Sequence, residues 1–262
     1  MHTNKLVRRI DLSQAGAESR EYLRREWLLT NGLGGYASGT ISGRVSRRYH
    51  GLLVAALPAP LGRVAMFNHL SEHLVFPDGR EVQIGGEEPN EAEDSPNPFQ
   101  HYVTEFRLEN QLPVWRYEVE GVILEKQMLL IHGQNTIHIN FSLLSAHENV
   151  RLALRPSLHF RPHEHSVGSP LDEFYTLTIA GRHYEVSAGD PYPPLRFLMQ
   201  GERASFTHEG GEHREIGYQH EAERGYESRG QLWSPGYFSV TLAPRRTATL
   251  IASTEDWPTV LA

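Results

Sequence analysis

Residues 137–143 have the sequence Ile-His-Ile-Asn-Phe-Ser-Leu, with an apolar residue at every second position. Successive side chains of a β-strand point to opposite faces, so this alternation predicts a strand with one face in a core and the other in water. The same period of two recurs in residues 115–119, 150–158 and 238–242. Strands of this kind are typical of antiparallel sheets. The sequence therefore predicts an all-β chain.

Turn-forming residues separate the predicted strands. Residues 77–80, Pro-Asp-Gly-Arg, lie between two apolar runs and predict a hairpin turn, and residues 132–135, His-Gly-Gln-Asn, separate two longer strands. Residues 85–98 and 210–225 are rich in glycine and charged side chains, and we predict that they are loops. The best candidate for a helix is residues 12–25. This pattern favours a large antiparallel sandwich of two sheets.

Length and composition limit the classes of protein that fit. The chain has 262 residues, and neither a shift in composition nor a repeat divides it, so we expect one domain over residues 1–262. The net charge of −7 argues against a nucleic-acid partner, and the absence of cysteine excludes disulfides and thiolate metal sites. No apolar run approaches the ~20 residues that span a bilayer. The polar N-terminus does not resemble a secretion signal, so we expect a cytoplasmic protein without a membrane partner.

A glycine-rich segment resembles a nucleotide-binding motif. Residues 32–37, Gly-Leu-Gly-Gly-Tyr-Ala, match the dinucleotide pattern, which requires a helix immediately after it. Residues 38–43 contain two glycines and two β-branched residues, which favour a helix poorly. We therefore predict a glycine-rich turn between two strands, and no nucleotide cofactor.

A polar cluster precedes a predicted buried strand at residues 52–57. It consists of Arg47, Arg48, Tyr49 and His50. Planar guanidinium groups and aromatic side chains suit sugar hydroxyls or the carboxylates of an adjoining domain, although a solvated start of a strand would have the same composition. If the segment is extended, Arg48 and His50 share one face and Arg47 and Tyr49 the other. We expect the first pair to meet a partner.

A histidine-rich segment follows the predicted strand at residues 150–158. His163 and His165 have the spacing of the histidine pair in metal-binding cupins. Ser169 and Pro170 occupy the positions where that site requires a carboxylate, so the ligand pattern is incomplete. We predict no metal in this chain.

Two motifs resemble a known family. Residues 26–36, Glu-Trp-Leu-Leu-Thr-Asn-Gly-Leu-Gly-Gly-Tyr, and residues 47–54, Arg-Arg-Tyr-His-Gly-Leu-Leu-Val, resemble the N-terminal domain of bacterial and archaeal-type glycogen debranching enzymes. This is the amylo-α-1,6-glucosidase group. Shorter matches at residues 61–63, 132–136 and 232–236 follow in the expected order, and the resemblance covers almost the entire chain.

The resemblance implies a sandwich of the galactose-mutarotase-like type, followed in a full-length member by an α/α-toroid domain that carries the catalytic acid and base. Such an enzyme hydrolyses the α-1,6 branch-point glucose of glycogen or branched maltodextrin. The implied partners are therefore that catalytic domain and a branched glucan, and the resemblance places no catalytic residue in this chain. The side chains expected to face the substrate or the catalytic domain are Asn31, Arg47, Arg48, Tyr49, His50, His159, Arg161 and His163.

Two other functions are compatible with the same sequence. A free-standing sugar epimerase needs a histidine acid and a carboxylate base in one cleft, and the compact candidates are His159, His163 and Glu164. A carbohydrate-binding module without an enzymatic partner would stack exposed aromatic rings on sugars. The candidates for this stacking are Trp115, Trp233 and Tyr237.

Overall fold

The computed structural model describes residues 7–13, 21–22, 24–86, 102–171 and 175–262. These residues contain seventeen strands, arranged in two large antiparallel sheets that pack face to face. The predicted all-β sandwich is therefore confirmed. Most of the predicted helix at residues 12–25, and most of the predicted loop at residues 85–98, lies outside the described residues.

The larger sheet, sheet A, has nine strands. From edge to edge they are β1 (Val7–Asp11), β7 (Val103–Glu109), β8 (Leu112–Val119), β9 (Val122–Leu130), β10 (Thr136–Ser145), β17 (Thr247–Ser253), β14 (Leu195–Gln200), β13 (His183–Ser187) and β12 (Thr176–Ala180). The predicted turn at residues 132–135 joins β9 to β10, as expected.

Sheet B has a path of seven strands and one further strand that pairs with it. Along the path they are β15 (Glu202–Gly217), β16 (Arg229–Leu242), β11 (Val150–Pro162), β5 (Gly62–Val75), β4 (Gly51–Leu57), β3 (Tyr36–Thr40) and β2 (Glu26–Thr30), and β6 (Glu81–Gly85) pairs with β5. The turn at residues 77–80 joins β5 to β6, and the glycine-rich turn joins β2 to β3, so both predictions are confirmed.

The core lies between the inner faces of the two sheets. Ile137, Ile139 and Phe141 are fully buried, as their alternation predicts. Trp115 and Trp233 belong to the same core and are 1% and 6% exposed, so the expectation that they stack on a bound sugar is wrong. Both rings lie on the inward-facing positions of their strands, where apolar neighbours cover them.

A buried ion pair joins the two sheets. Glu72 of β5 and Lys126 of β9 are 1% and 5% exposed, and the ammonium group lies 2.9 Å from each carboxylate oxygen. The hydroxyl of Tyr117 also bonds to Glu72, and the ammonium group lies 4.6 Å from the ring centre of Trp115. Each charge is therefore compensated inside the core, which a buried ion requires.

The prediction of a loop at residues 210–225 is wrong. Residues 210–217 belong to β15, which pairs with β16 as far as Gly217, and the short helix α1 (Gln219–Glu223) follows. Most of β15 is exposed, and beyond Ala204 and Phe206, which pack against the core, its sequence shows no regular alternation of apolar and polar residues. This strand forms because its backbone pairs with β16, and its own sequence does not predict it.

The chain also forms the short helix α2 (Trp257–Leu261), which packs on sheet A. The carboxylate of Asp256 accepts a hydrogen bond from the backbone N–H of Thr259 and caps the helix. The ring of Trp257 stacks on His183 at 4.1 Å. In the described residues no helix is both long and apolar enough to cross a membrane.

Candidate functional site

The two motifs at residues 26–36 and 47–54 lie side by side at one end of sheet B. The first forms β2, the glycine-rich turn and the start of β3, and the second forms a turn and the start of β4, which pairs with β3. A cleft of about 560 Å³ opens between them. Its polar side chains are Glu26, Thr30, Tyr36, Ser38, Arg47, Tyr49, His50 and Arg63.

Residues 47–50 form a turn and not a strand, so the prediction that Arg48 and His50 share one face is wrong. The ring of His50 is 3% exposed, and its Nδ1 accepts hydrogen bonds from the backbone N–H groups of Ser46 at 3.1 Å and Arg47 at 3.4 Å. The His50 ring thus accepts from two backbone N–H groups that would bond to a neighbouring strand if this segment were part of a sheet. This arrangement fixes the turn against β4.

Glu26 joins Arg47 to His50 on one wall of the cleft. Because Nδ1 of His50 is an acceptor, its Nε2 carries the proton and donates to Oε1 of Glu26 at 3.3 Å. Nε of Arg47 donates to the same oxygen at 2.5 Å. The hydrogen bond from His50, followed by that from Arg47, lowers the pKa of Glu26 from 4.5 to about 2. The cleft therefore contains a carboxylate that stays charged at neutral pH.

The side chain of Arg48 points away from this carboxylate. Its Nη2 donates to the hydroxyl of Tyr49 at 2.7 Å, and the guanidinium lies 4.8 Å from the ring centre of Tyr49 and 5.5 Å from that of Tyr226. The backbone N–H of Arg48 donates to the buried carboxylate of Glu221 at 3.0 Å. Of the two adjacent arginines, Arg47 lines the cleft, while Arg48 packs behind the turn between two aromatic rings.

Arg161 holds the turn from inside the protein. Its side chain is 2% exposed, and its Nη2 donates to the carbonyl oxygen of Arg48 at 2.7 Å. Its Nη1 donates to the carbonyl oxygen of His165 at 2.5 Å. Burial lowers the pKa of Arg161 from its usual value. The hydroxyl of Tyr36 donates to the next carbonyl, that of Tyr49, at 2.9 Å. Arg161 therefore acts as a positioning residue for the turn.

Asn31 lies behind the cleft and is completely buried. Its Nδ2 donates to the carbonyl oxygen of Gln134 at 2.9 Å and to Oδ1 of Asn135 at 3.0 Å. Its Oδ1 accepts from the backbone N–H of Leu33 at 2.9 Å. These bonds tie the β2–β3 turn of sheet B to the β9–β10 turn of sheet A. In this structure Asn31 shapes the cleft without lining it.

The other two candidate histidines, His159 and His163, differ in how deeply they are buried. His159 lies in β11, is 3% exposed, and has its pKa lowered to about 4 by burial and then by the charge of Arg161. His163 lies in the turn after β11, with its ring 5.9 Å from that of Tyr49 and its Nε2 3.2 Å from Oε1 of Glu164. Among the residues that the structure describes, no group of three acidic or histidine side chains could hold a metal ion.

Four residues that shape the cleft were not among the sequence-based candidates. Glu26 and Tyr36 lie inside the first motif, so the motif itself was the available signal. Arg63 donates from Nε to the carbonyl oxygen of Gly34 at 2.7 Å and closes one end of the cleft. Glu221 lies 173 residues after Arg48 in the sequence. No local pattern marks it, because only the folded chain brings it beneath Arg48.

Comparison with known proteins confirms the resemblance. A family model described as "Glycogen debranching enzyme N terminal" matches residues 25–249. No curated protein matches the sequence.

Two solved structures that resemble the chain are a putative kojibiose phosphorylase from the human microbiome and a bacterial glucoamylase complexed with acarbose. The first has 11% sequence identity and a TM-score of 0.43, and the match covers 94% of this chain. The second has 6% identity and a TM-score of 0.37, and the match covers 90% of this chain. The chain spans 32% and 31% of the lengths of these two proteins.

Proposed function

We propose that this chain, which belongs to the glycogen debranching enzyme N-terminal family, is an accessory domain that packs on the catalytic domain of a debranching enzyme. In this role it helps to shape a pocket for a branched α-glucan such as glycogen or branched maltodextrin. The observation that carries the proposal is that both family motifs line one cleft, around a turn whose main-chain groups are held by Tyr36, His50, Arg161 and Glu221. The acidic, cysteine-free sequence suits an enzyme of the cytoplasm.

The polar groups of the cleft suit either a sugar or the main chain of a docked domain. Arg47 and Arg63 present planar donors, Tyr49 presents a hydroxyl, and the charged carboxylate of Glu26 presents acceptors. Because the turn is fixed before anything binds, a partner would lose little free energy in ordering it.

Exposed apolar side chains at the rim support docking of a protein domain. Leu28 is 63% exposed and belongs to the cleft wall, and Leu33 is 52% exposed at the tip of the glycine-rich turn. Large apolar side chains that are exposed next to polar groups are typical of surfaces that bind another protein.

The segment at residues 254–261 begins close to the β9–β10 turn, which bonds to the glycine-rich turn through Asn31. Oε1 of Glu255 accepts from the backbone N–H of Asn135 at 2.8 Å, and Asn135 bonds in turn to Asn31 behind the cleft. Hydrogen bonds thus connect the segment that leaves sheet A with the turn that borders the cleft. A domain attached through this segment would lie within reach of Leu33.

The test compares two substitutions in the full-length enzyme. We expect Leu33→Asp to place a charge in the domain interface and lower kcat/KM for branched maltodextrin by roughly ten-fold or more. Ile179→Asp is the matched control, because Ile179 is 50% exposed on the β12–β13 hairpin. Equal kinetics for the two variants, with both folded, would contradict a docking role for the cleft.

A further inference from the structure

A second groove, of about 370 Å³, crosses the outer face of sheet B. Its floor is a row of short side chains, Ala153, Ser239 and Ser205, which lie opposite one another in register on β11, β16 and β15. His73 of β5 lies opposite Ala153 and ends the row. Neighbouring strands lie about 4.8 Å apart, so the four positions extend over about 14 Å.

Long side chains form the walls of this groove. Residues two apart in a strand share a face, so Arg151 and Arg155 lie on either side of Ala153, and Tyr237 lies next to Ser239. The guanidinium of Arg155 lies 5.4 Å from the ring centre of Tyr237. The result is a trough with a flat floor and one aromatic wall.

Apart from the exposed Arg151, the charges in the groove offset one another. Arg155 forms an ion pair with Glu209 and lies 3.7 Å from a carboxylate oxygen of Glu212, which also pairs with Arg214 at 2.9 Å. Carboxylates in contact with these guanidinium groups would repel an anion. The groove therefore favours a neutral ligand over a phosphate or a carboxylate.

The groove also contains hydroxyl groups with unused hydrogen-bonding capacity. Within the part of the chain that the structure describes, the side chains of Ser205, Thr207 and Ser239 have no hydrogen-bond partner in the protein. Each hydroxyl can both donate and accept, as can those of a sugar. A neutral ligand with many hydroxyls can bond to them while an apolar sugar face lies against Tyr237.

We propose that this groove binds a short stretch of α-glucan chain, at a site on the outer face of sheet B that is separate from the cleft. The groove chemistry specifies a neutral oligosaccharide, and the choice of an α-glucan rests on the proposed function. In the parent enzyme this second contact would keep a polymeric substrate close to the catalytic domain by raising its effective concentration there.

The test measures binding of maltoheptaose to the 262-residue chain by isothermal titration calorimetry. We expect Ser205→Leu, which fills the groove floor at an exposed position, to abolish binding. We expect Tyr237→Ala to weaken Kd roughly three- to ten-fold. The matched control Thr178→Leu, at an exposed position on β12, should leave Kd unchanged. Inorganic phosphate should not compete.

Three outcomes would overturn the proposal. They are no binding to the unmodified chain, undiminished binding to Ser205→Leu, and loss of binding on Arg63→Ala, which changes the cleft and leaves the groove intact. Cellohexaose binding as tightly as maltoheptaose would overturn the choice of an α-glucan. None of these results decides whether the cleft docks a catalytic domain, because that is tested by the kinetics of Leu33→Asp in the full-length enzyme.

Discussion

Arg47 and Arg48 are neighbours in the sequence, but their side chains have different environments. Arg47 donates to Glu26 in the wall of the cleft, and Arg48 lies between the rings of Tyr49 and Tyr226. The turn, rather than strand alternation, decides which guanidinium lines the cleft. At the scale of single residues, the carboxylate of Glu26, which accepts hydrogen bonds from Arg47 and His50, leads to a testable dependence of stability on pH.

We expect the hydrogen bonds from Arg47 and His50 to Glu26 to stabilise the protein less in acid. The pKa of this carboxyl is lowered in the folded protein from 4.5 to about 2, so its stabilising effect is complete above pH 4.5 and is lost as the pH falls toward 2. In Glu26→Gln the melting temperature should fall less steeply over this range than in the unmodified chain. Thermal unfolding followed by circular dichroism at a series of pH values measures the difference.

The control for this experiment is Glu118→Gln, which removes an exposed carboxylate paired with Arg116. This variant should keep the pH dependence of the unmodified chain, because exposed ion pairs contribute little to stability. Parallel curves for Glu26→Gln and the unmodified chain would show that the pKa of Glu26 is not lowered by folding.

At the scale of elements, the β2–β3 turn depends on close approach at Gly35. A β-carbon at this position would lie 2.6 Å from Nδ2 of Asn31 and 3.0 Å from both Oδ1 of Asn135 and the carbonyl oxygen of Val54. Gly35→Ala should therefore displace the buried amide bonds and destabilise the fold by about 1–3 kcal/mol. Gly217→Ala is the control, because a β-carbon at Gly217 meets no atom within 4 Å. Urea unfolding that gives equal free energies for the two variants would refute this account of the turn.

The buried pair of Glu72 and Lys126 connects one strand of each sheet. Lys126→Met would leave the carboxylate of Glu72 buried without its partner, and we expect a loss of about 3–5 kcal/mol in the free energy of unfolding. Adding Glu72→Leu should restore a large part of this loss, because the core then contains no uncompensated charge. Denaturant unfolding of the two variants provides the measurement.

A surface pair serves as the comparison for this core pair. Arg80 bonds to Asp78 and Glu120, and its side chain is 56% exposed. Arg80→Ala should change the unfolding midpoint only slightly, because water and salt screen exposed pairs. If Lys126→Met changed the midpoint as little as Arg80→Ala, the buried pair would have no special part in joining the sheets.

At the scale of the whole molecule, we expect the isolated chain to release no glucose from a limit dextrin. The family resemblance assigns the catalytic acid and base to a separate domain, and the carboxylates of the cleft and groove in this chain are held in ion pairs. The full-length enzyme serves as the positive control in a glucose-release assay. Turnover by the isolated chain that is abolished by Glu26→Gln would place catalysis in the cleft and overturn the accessory role.

Much of the fold follows from local sequence. The alternation in residues 137–143 and 238–242 predicted strands that are present with the expected faces buried, because hydrophobic burial acts on each strand with a period of two. The turns at residues 77–80 and 132–135 follow from residues that favour turns wherever they occur. The exposed part of β15 could not be predicted, since it depends on backbone pairing with β16.

The sequence by itself determined the fold class, the family and the two motifs that line the cleft, because each depends on residues that are close together in the chain. Only the tertiary structure decided the roles of the individual side chains. Arg161 and Glu221 meet the turn from positions more than a hundred residues away, and the groove floor combines single residues from three strands. Hydrogen bonds and cross-strand contacts act through space. A local sequence pattern therefore does not predict which distant residues bond to the backbone of a turn or lie side by side on the face of a sheet.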